Sequence, residues 1–264
     1  NVSRFMGNLT STCQEGIFQP MTHQGYEFIS TLPQEKAITL LDAILQKTYT
    51  VNKIYKDDRH SFVSNIATKA HSNIMFKIPK ERNNRSWERF LTLFRPNESF
   101  RVYDSMTTLQ SLGIKGTVPL LAAHRKRRGM SVESFLVYDF VEGTPATIEN
   151  LESIVETLGQ LHQAEFVRND PKLINFIVNG PDVYLIDFRL KRVKVCIKLQ
   201  CMMNLCGLFR TISSNKSDFH AHVKEDALYH FAWVLKKVRH QIRTYRKKIK
   251  KKLLRRKKEH IAVC

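Results

Sequence analysis

An aspartate, an asparagine and a second aspartate in the second half of the chain have types and a spacing that could do chemistry together. Asp170 begins the string Asp-Pro-Lys-Leu-Ile-Asn, which places Asn175 five residues later, and Asp187 follows Asp170 by 17 residues. In phosphoryl transfer, a loop aspartate accepts the proton of the attacking hydroxyl, while an asparagine and another aspartate hold Mg²⁺ on the phosphates of ATP. The metal is needed because the transition state spreads negative charge. The spacing therefore indicates Asp170 as catalytic base and Asn175 and Asp187 as metal ligands.

A β-hairpin is predicted between the two halves of this site. Two apolar runs, 176–178 and 183–186, flank the sequence Asn-Gly-Pro-Asp, whose residues are typical of turns. Such a hairpin would bring Asp187 opposite the loop that carries Asp170. The simpler alternative is that Asp170 and Asn175 are turn residues and that Asp187 ends a strand. The combined spacing, hairpin and terminal aspartate favour the functional interpretation.

A lysine inside an apolar strand is a candidate ligand for the α- and β-phosphates. Lys77 lies in the strand predicted at Ile74–Ile78, where a lysine is otherwise hard to place. Its alternative is a solvent-facing lysine of an edge strand. A carboxylate partner is expected from the next helix, and Glu98, in the first turn of that helix, is preferred to Glu88.

The segment from Tyr138 to Gly143 has the pattern of a strand followed by a hinge. Asp139 and Val141 are its candidate adenine-binding positions, where backbone groups would meet the base; an ordinary strand end is the alternative. Residues 57–65 lie where a glycine-rich phosphate loop belongs, but they contain no glycine.

The order of elements predicts an α+β, two-lobed, protein-kinase-like fold. A β-rich N-lobe (46–143) contains an antiparallel meander and a helix that Asn97 caps and Gly113 ends. A mainly helical C-lobe (144–235) contains the hairpin. Residues 1–45 are predicted to be an extension of unclear role, with one helix near 34–46. Two further strands, 120–123 and 134–140, are expected to be joined by a basic connection.

A basic amphipathic tail (236–264) carries most of the excess charge. The net charge is +19, and 14 of the 43 lysines and arginines lie between Lys236 and Lys258, where no acidic residue occurs. Apolar residues recur along this region at helical spacing: Val234, Val238, Ile242, Tyr245, Ile249 and Leu253. Such a helix can lie on an anionic membrane surface. Packing on the protein body is the alternative; nucleic-acid binding has no supporting motif. No run of residues is long and apolar enough to predict a membrane span.

Several strings carry a resemblance to one family. They are residues 166–177, which include the catalytic loop, Leu185-Ile186-Asp187-Phe188, Lys191-Arg192, Leu161-His162, Phe76-Lys77-Ile78-Pro79 and Trp87-Glu88-Arg89-Phe90. Over roughly residues 48–258 the chain resembles the bacterial lipopolysaccharide core heptose kinases, most closely the heptose(II) kinase type. The resemblance implies an enzyme dependent on ATP and Mg²⁺ that phosphorylates an inner-core heptose. It also implies a cytoplasmic protein peripheral to the inner membrane, with the core glycolipid as its substrate.

Three departures from the kinase pattern keep other functions open. Arg168 stands where many kinases have histidine, Arg189 replaces the glycine after Asp-Phe, and the loop glycines are missing. The alternatives are a kinase-like phosphotransferase with another acceptor, such as a small alcohol, an aminoglycoside or a protein, and a non-catalytic scaffold at the membrane surface.

Overall fold

A computed structural model describes residues 19–168, 170–213, 219 and 226–261 of the chain. Its N-lobe is one antiparallel sheet with helices on both faces. In chain order the elements are β1 (Met21–His23), β2 (Tyr26–Ser30), α1 (Gln34–Leu45), β3 (Thr50–Asp57), β4 (Phe62–Ala67), β5 (Ile74–Ile78), α2 (Lys80–Asn84), α3 (Ser86–Leu91), α4 (Glu98–Ser111), β6 (Pro119–Arg127) and β7 (Met130–Asp139). The strands lie in the order β1-β2-β6-β7-β5-β4-β3, and β3, β4 and β5 form the predicted meander.

The sheet has a hydrophobic core on each face because its side chains alternate in direction along every strand. On β7, Phe135 and Val137 pack with the buried side of α1, whereas Leu136 and Tyr138 pack with α4. Helix α1 is amphipathic, and its buried residues recur at helical spacing: Ala37, Leu40, Leu41 and Ile44. The sheet therefore lies between α1 on one face and α4 on the other.

Residues 21–45 complete the N-lobe. They were expected to be an extension of unclear role, and the structure shows that β2 pairs along β6 while α1 covers the outer face of the sheet. The predicted helix near 34–46 is confirmed as α1. Residues 1–18 of the expected extension lie outside the described part of the chain.

Helix α4 begins and ends as predicted. The side chain of Asn97 accepts a hydrogen bond from the backbone N–H of Phe100 at 3.1 Å, which satisfies one of the free donors of the first turn. Gly113 follows the helix with a φ of +69°, in the left-handed region that glycine adopts easily. The start of the helix, and therefore the position of Glu98, is defined by this cap.

The connection between β6 and β7 is shorter than expected. The basic segment 124–129 was predicted to join two short strands, but it extends both of them to a two-residue turn at Arg128 and Gly129. Both turn residues have positive φ, +52° and +76°, as the turns that match strand twist require.

The C-lobe is mainly helical, as predicted. Its elements are β8 (Thr144–Pro145), α5 (Leu151–Gln163), β9 (Phe166–Arg168), β10 (Phe176–Asn179), β11 (Asp182–Leu185), β12 (Leu190–Arg192), α6 (Ile197–Ile212) and α7 (Ala227–Ile261). The predicted hairpin is confirmed as β10 and β11, which pair from Phe176–Leu185 to Asn179–Asp182. One core cluster joins α4 of the N-lobe to α5, α6 and the first turns of α7.

The basic tail is continuous with the body of the C-lobe. It was expected to begin at residue 236, but α7 begins at Ala227 and buries Tyr229, Ala232 and Trp233 before the basic region starts. Residues 262–264 lie outside the described part. Among the described helices, none combines the length and the apolar character needed to cross a membrane. Two lobes of this composition and order form the predicted α+β, protein-kinase-like fold.

Two backbone connections between the lobes lie close to the hairpin. Residues 140–143 link β7 to β8, and the backbone of Leu185 exchanges hydrogen bonds with Lys115 and Thr117, both at 3.1 Å. Gly143 has a φ of +137°, which only glycine adopts without strain, and a Cβ on it would press against the carbonyl oxygen of Val178. The linker therefore reaches the hairpin at a point where only glycine fits.

Two matched substitutions test this constraint. Gly143→Ala should lower the free energy of unfolding by about 2 kcal/mol or more, because it adds both backbone strain and a steric clash. Gly159→Ala removes the same backbone freedom from the unfolded chain, but it lies in α5 with open space around it, so it should raise stability by about 0.5–1 kcal/mol. Urea unfolding of both variants measures the difference. Equal effects would contradict the assignment of Gly143.

Candidate active site

The centre of the site is an ion pair between the two lobes. Lys77 on β5 donates from its ammonium group to the carboxylate of Asp187, which follows β11. Burial, the largest single effect, lowers the pKa of Lys77, but the carboxylate of Asp187 together with Tyr138 and Glu98 outweighs it, and the net shift is upward. Burial likewise acts to raise the pKa of Asp187, but the ammonium of Lys77, together with the charges of Lys56 and Arg168, brings it below the usual value. Both groups are therefore charged at neutral pH.

The two aspartates predicted to act in catalysis have an unusual backbone conformation. Asp170 has a φ of +55° and Asp187 a φ of +46°. Aspartate tolerates the left-handed region better than most residues, but the conformation still costs free energy and is most frequent at functional sites. In both cases it turns the chain sharply next to a β-strand and leaves the side chain mostly exposed, 66% for Asp170 and 62% for Asp187.

The catalytic loop presents Asp170 to solvent. Its side chain is 66% exposed and pairs with Lys172 at 2.7 Å. Asn175 donates from its side-chain amide to the backbone carbonyl of Asp170 at 3.1 Å, which ties the two ends of the loop together. Lys172 was missed in the sequence analysis, although its place two residues after Asp170 is a usable signal.

The oxygen atoms at this site fit Mg²⁺. The amide nitrogen of Asn175 is used within the loop, so its oxygen is the atom left for a metal, and Asp187 contributes a carboxylate. Within the described residues there is no cluster of three or more His, Cys, Asp or Glu side chains that could hold a metal alone. Magnesium in nucleotide sites is held by one or two carboxylates together with the phosphates. These residues would therefore hold the metal with its nucleotide.

Glu98 is in a different pair from the one expected. Its carboxylate accepts hydrogen bonds from Arg189 at 3.1 and 3.4 Å, and Lys77 is paired with Asp187 instead. The expected Lys77–Glu98 pair is not formed in this structure because Arg189, in place of a glycine, brings a guanidinium to the start of α4. Glu88 is also engaged elsewhere, with Arg82 and Arg95. Glu98 still lies close enough to help raise the pKa of Lys77.

The hinge residues lie at the edge of the cleft. Asp139 ends β7 opposite Ile74, the first residue of the strand that carries Lys77. Burial raises the pKa of the Asp139 carboxyl. In the described part of the chain, no hydrogen bond engages the backbone of Val141. The adenine-binding roles of Asp139 and Val141 stay predictions.

The turn between β3 and β4 is closed by hydrogen bonds to an aspartate side chain, and it contains no glycine. The side chain of Asp58 accepts hydrogen bonds from the backbone N–H groups of His60 and Ser61, both at 2.8 Å, and so closes the turn that glycines form in other phosphate loops. Lys56, beside this turn, contributes to the lowered pKa of Asp187 and therefore directs positive charge at the cleft.

Arg168 contacts the loop of Asp170 and Asn175 from its buried side. Its side chain is 1% exposed, it donates to the backbone carbonyls of Asn175 and Ile186, both at 3.4 Å, and its guanidinium lies over the ring of Phe176. Burial lowers its pKa to about 10, while the carboxylates of Asp187 and Asp170 oppose that shift. One buried side chain thus bridges the segments that carry both predicted metal ligands, Asn175 and Asp187.

Asn204 extends this network into the helices. Its side-chain amide donates to the backbone carbonyl of Arg168 at 2.7 Å, and its oxygen lies 3.2 Å from the ring of His162. The sequence analysis missed Asn204; an asparagine in the apolar helix α6 is the signal that could have found it. The network connects α5, α6 and the catalytic loop.

The charge of the Lys77–Asp187 pair has a testable consequence. The pKa of Asp187 is lowered, so the pair's contribution to stability is present above the unfolded value of about 3.9 and is lost as pH falls through the folded value. In Lys77→Met the effect of burial is less opposed, and the carboxyl pKa of Asp187 should rise. NMR titration of ¹³C-labelled aspartate measures it.

Lys80→Met is the control for this titration. It also removes one lysine, but Lys80 pairs with Asp57 at the surface. The pKa of Asp187 should stay unchanged in that variant. An unchanged pKa of Asp187 in Lys77→Met would contradict the assigned pair.

Solved structures of low identity are similar to this chain. The structure of WaaP in complex with acyl carrier protein has 13% identity and a TM-score of 0.49, covering 82% of this chain and 92% of that one. The Rio2 kinase complex with ADP, Mg²⁺ and phosphoaspartate from Chaetomium thermophilum has 15% identity and a TM-score of 0.46, covering 83% and 71%. A MAP kinase from Leishmania major has 15% identity and a TM-score of 0.39, covering 67% and 61%.

The family is given by the sequence. No curated protein matches the chain. The family described as lipopolysaccharide core biosynthesis protein (WaaY) matches residues 17–258, which is most of the chain and includes every residue of the site. This agrees with the resemblance identified from the catalytic strings. The chain therefore belongs to the WaaY family of lipopolysaccharide core biosynthesis proteins.

Proposed function

We propose that the protein transfers the γ-phosphoryl group of ATP to a hydroxyl of an inner-core heptose, with heptose II as the expected acceptor. The observation that carries the proposal is the arrangement of Lys77 and Asp187 across the cleft, beside the loop that holds Asp170 and Asn175. Family membership supports the lipopolysaccharide core as the acceptor.

Each residue has one role in this proposal. Asp187 and Asn175 hold Mg²⁺, which neutralises charge on the phosphates. Lys77 binds the α- and β-phosphates, and its buried stem on β5 fixes where its ammonium group can reach. Asp170 orients the heptose hydroxyl and accepts its proton, while Lys172 beside it offers positive charge to the transferred group. Asp139 and Val141 are proposed to line the adenine site, and Glu98 to pair with Lys77 once Arg189 releases it.

The second part of the proposal concerns the membrane. Along α7, apolar side chains recur on one face and are exposed rather than packed on the body: Phe231, Val234, Val238, Ile242, Tyr245 and Ile249. The helix also carries many cations, so it combines an apolar stripe with attraction to anionic lipid. We infer that this face lies on the inner-membrane surface, where the glycolipid acceptor is found, and that the protein is cytoplasmic and peripheral.

A mass measurement tests the phosphotransferase proposal. Purified protein with Mg²⁺ and ATP should add one phosphate to truncated lipopolysaccharide that lacks core phosphate. Asp170→Asn should reduce the rate by about 100-fold or more, because it removes the base. Asp182→Asn makes the same chemical change at a residue that pairs with Lys115 at 2.5 Å away from the cleft, and it should keep the activity.

The same assay distinguishes the alternatives. Phosphate transfer to an aminoglycoside or a small alcohol, but not to the glycolipid, would replace the acceptor and keep the chemistry. ATP that stays intact with every acceptor, or equal activity in Asp170→Asn and wild type, would contradict the proposal. ATP that stays intact with every acceptor would favour a non-catalytic scaffold. The Glu98–Arg189 pair also favours a scaffold, because it keeps Glu98 from pairing with Lys77.

Two neighbouring substitutions test the membrane proposal. Tyr245→Asp places a negative charge on the apolar stripe and should weaken binding to anionic vesicles by about tenfold or more, since it also removes an aromatic ring that would insert into the lipid surface. Thr244→Asp adds the same charge on a face of α7 outside the stripe. Its binding to vesicles should fall only by the smaller amount that the charge alone causes. Vesicle sedimentation measures both. Equal losses, or none, would contradict a bound stripe.

A further inference from the structure

A second, large cleft lies in the C-lobe beside the catalytic loop. It is distinct from the space between the lobes where Lys77 meets Asp187, and none of the residues proposed to bind ATP lines it. It is bounded by α6, the loop at Asp170 and the part of α7 that follows Trp233, and its volume is about 1090 Å³. This is slightly above the range of about 300–1,000 Å³ for small-molecule pockets, so the cleft suits an extended ligand. Asp170 lies in its wall, so a ligand there would meet the proposed base.

The charge of the cleft is almost entirely positive. Eight lysine and arginine residues line it: Arg168, Lys172, Lys191, Arg210, Lys236, Arg239, Arg243 and Arg246. Of the described residues in the wall, Asp170 is the one carboxylate, and it is already paired with Lys172. The cleft as a whole therefore holds far more positive than negative charge.

Lys236 shows that this charge is directed inward. Its side chain is half-buried and its ammonium group lies over Gly207, where a side chain of any other residue would meet it. Burial lowers the pKa of Lys236, and the nearby guanidinium of Arg239 lowers it further. Gly207 also lies close to Pro171 of the catalytic loop. A cation is thus held among other cations at the inner end of the cleft, an arrangement that a bound anion would stabilise.

The cations of α7 in the cleft form a face of their own. Lys236, Arg239, Arg243 and Arg246 recur at steps of three or four residues, so they share one side of the helix. This side adjoins the exposed apolar stripe at Ile242, which also lines the cleft, whereas Val238 and Tyr245 of the stripe do not line it. In the part of the chain that the structure describes, none of these four cations forms an ion pair with a carboxylate. Their charge is therefore available to a ligand.

We propose that this cleft is the acceptor site and that it binds a sugar chain carrying at least two anionic groups, carboxylate or phosphate, close to the hydroxyl that is phosphorylated. The proposal rests on the proposed function, in which Asp170 acts on that hydroxyl. A membrane surface is too flat to enter a concave site beside the loop, so the charges in the cleft serve the acceptor's sugars rather than lipid headgroups.

A pair of double variants tests the site. Arg239→Gln with Arg243→Gln removes two cleft cations, and Lys36→Gln with Lys69→Gln removes two exposed cations of the N-lobe, which lie outside both the cleft and α7. The first should raise KM for the acceptor by about tenfold or more, because each lost charge-assisted hydrogen bond weakens binding. Its KM for ATP should stay within about twofold. The control pair should change neither.

A binding measurement separates this proposal from the catalytic one. Calorimetry of deacylated core oligosaccharide with the Asp170→Asn protein, without ATP, measures the affinity of the cleft for the acceptor. This affinity can be measured even if no phosphate is ever transferred. The cleft variants made in that background should lose about tenfold in affinity, and the control pair should not. If the oligosaccharide binds but the wild-type protein does not phosphorylate it, the proposed function is overturned, whereas the proposed binding site is supported.

Chemical changes to the oligosaccharide identify the anion. Binding that falls after the phosphates are removed assigns the site to phosphate, and binding that falls after the carboxyl groups are reduced to alcohols assigns it to carboxylate. Undiminished binding of both treated forms would overturn the proposal. So would equal losses in the cleft and control variants, or a cleft variant that loses vesicle binding while it keeps the oligosaccharide.

Discussion

The rest of the site depends on one electrostatic contact, between the ammonium group of Lys77 and the carboxylate of Asp187. The two residues belong to different lobes, so the contact requires that β5 and the end of β11 face each other across the cleft. The hydrogen bonds of Leu185 with Lys115 and Thr117 hold this alignment two residues before Asp187. The side chain of Lys77 is 18% exposed and that of Asp187 is 62% exposed, so the contact mainly offsets the cost of burying the ammonium group.

The catalytic loop is positioned by a second, fully buried charge. Arg168 carries no close carboxylate partner among the described residues; it is held by two backbone carbonyls, an aromatic face and, through its own carbonyl, Asn204. Removing such a group from water is costly, so its presence indicates a role that an apolar residue could not fill. A planar guanidinium can reach two carbonyls at once, and it thereby couples Asn175 to the segment that ends at Asp187.

The sequence was most informative where the signal is local. The spacing of Asp170, Asn175 and Asp187, the hairpin between them and the cap at Asn97 are short-range patterns, and the structure contains the hairpin and the cap. The partner of Glu98 could not be predicted, because Arg189 and Lys77 compete for it in three dimensions. The pairing of β2 with β6 likewise joins segments about 90 residues apart, and no local pattern specifies which edge of a sheet a strand joins.

Helix α7 combines three surfaces that would be hard to interpret from charge alone. Its first turns pack into the C-lobe through Tyr229 and Trp233, a later face exposes an apolar stripe, and another face lines the cleft beside Asp170. A helix bound to a membrane by its stripe would keep the cleft close to the lipid surface while leaving it open to sugars that extend from that surface. In these proposals the net charge of +19 serves two ligands: the cations of α7 outside the cleft would attract lipid headgroups, and the four that line the cleft would bind the acceptor's anions.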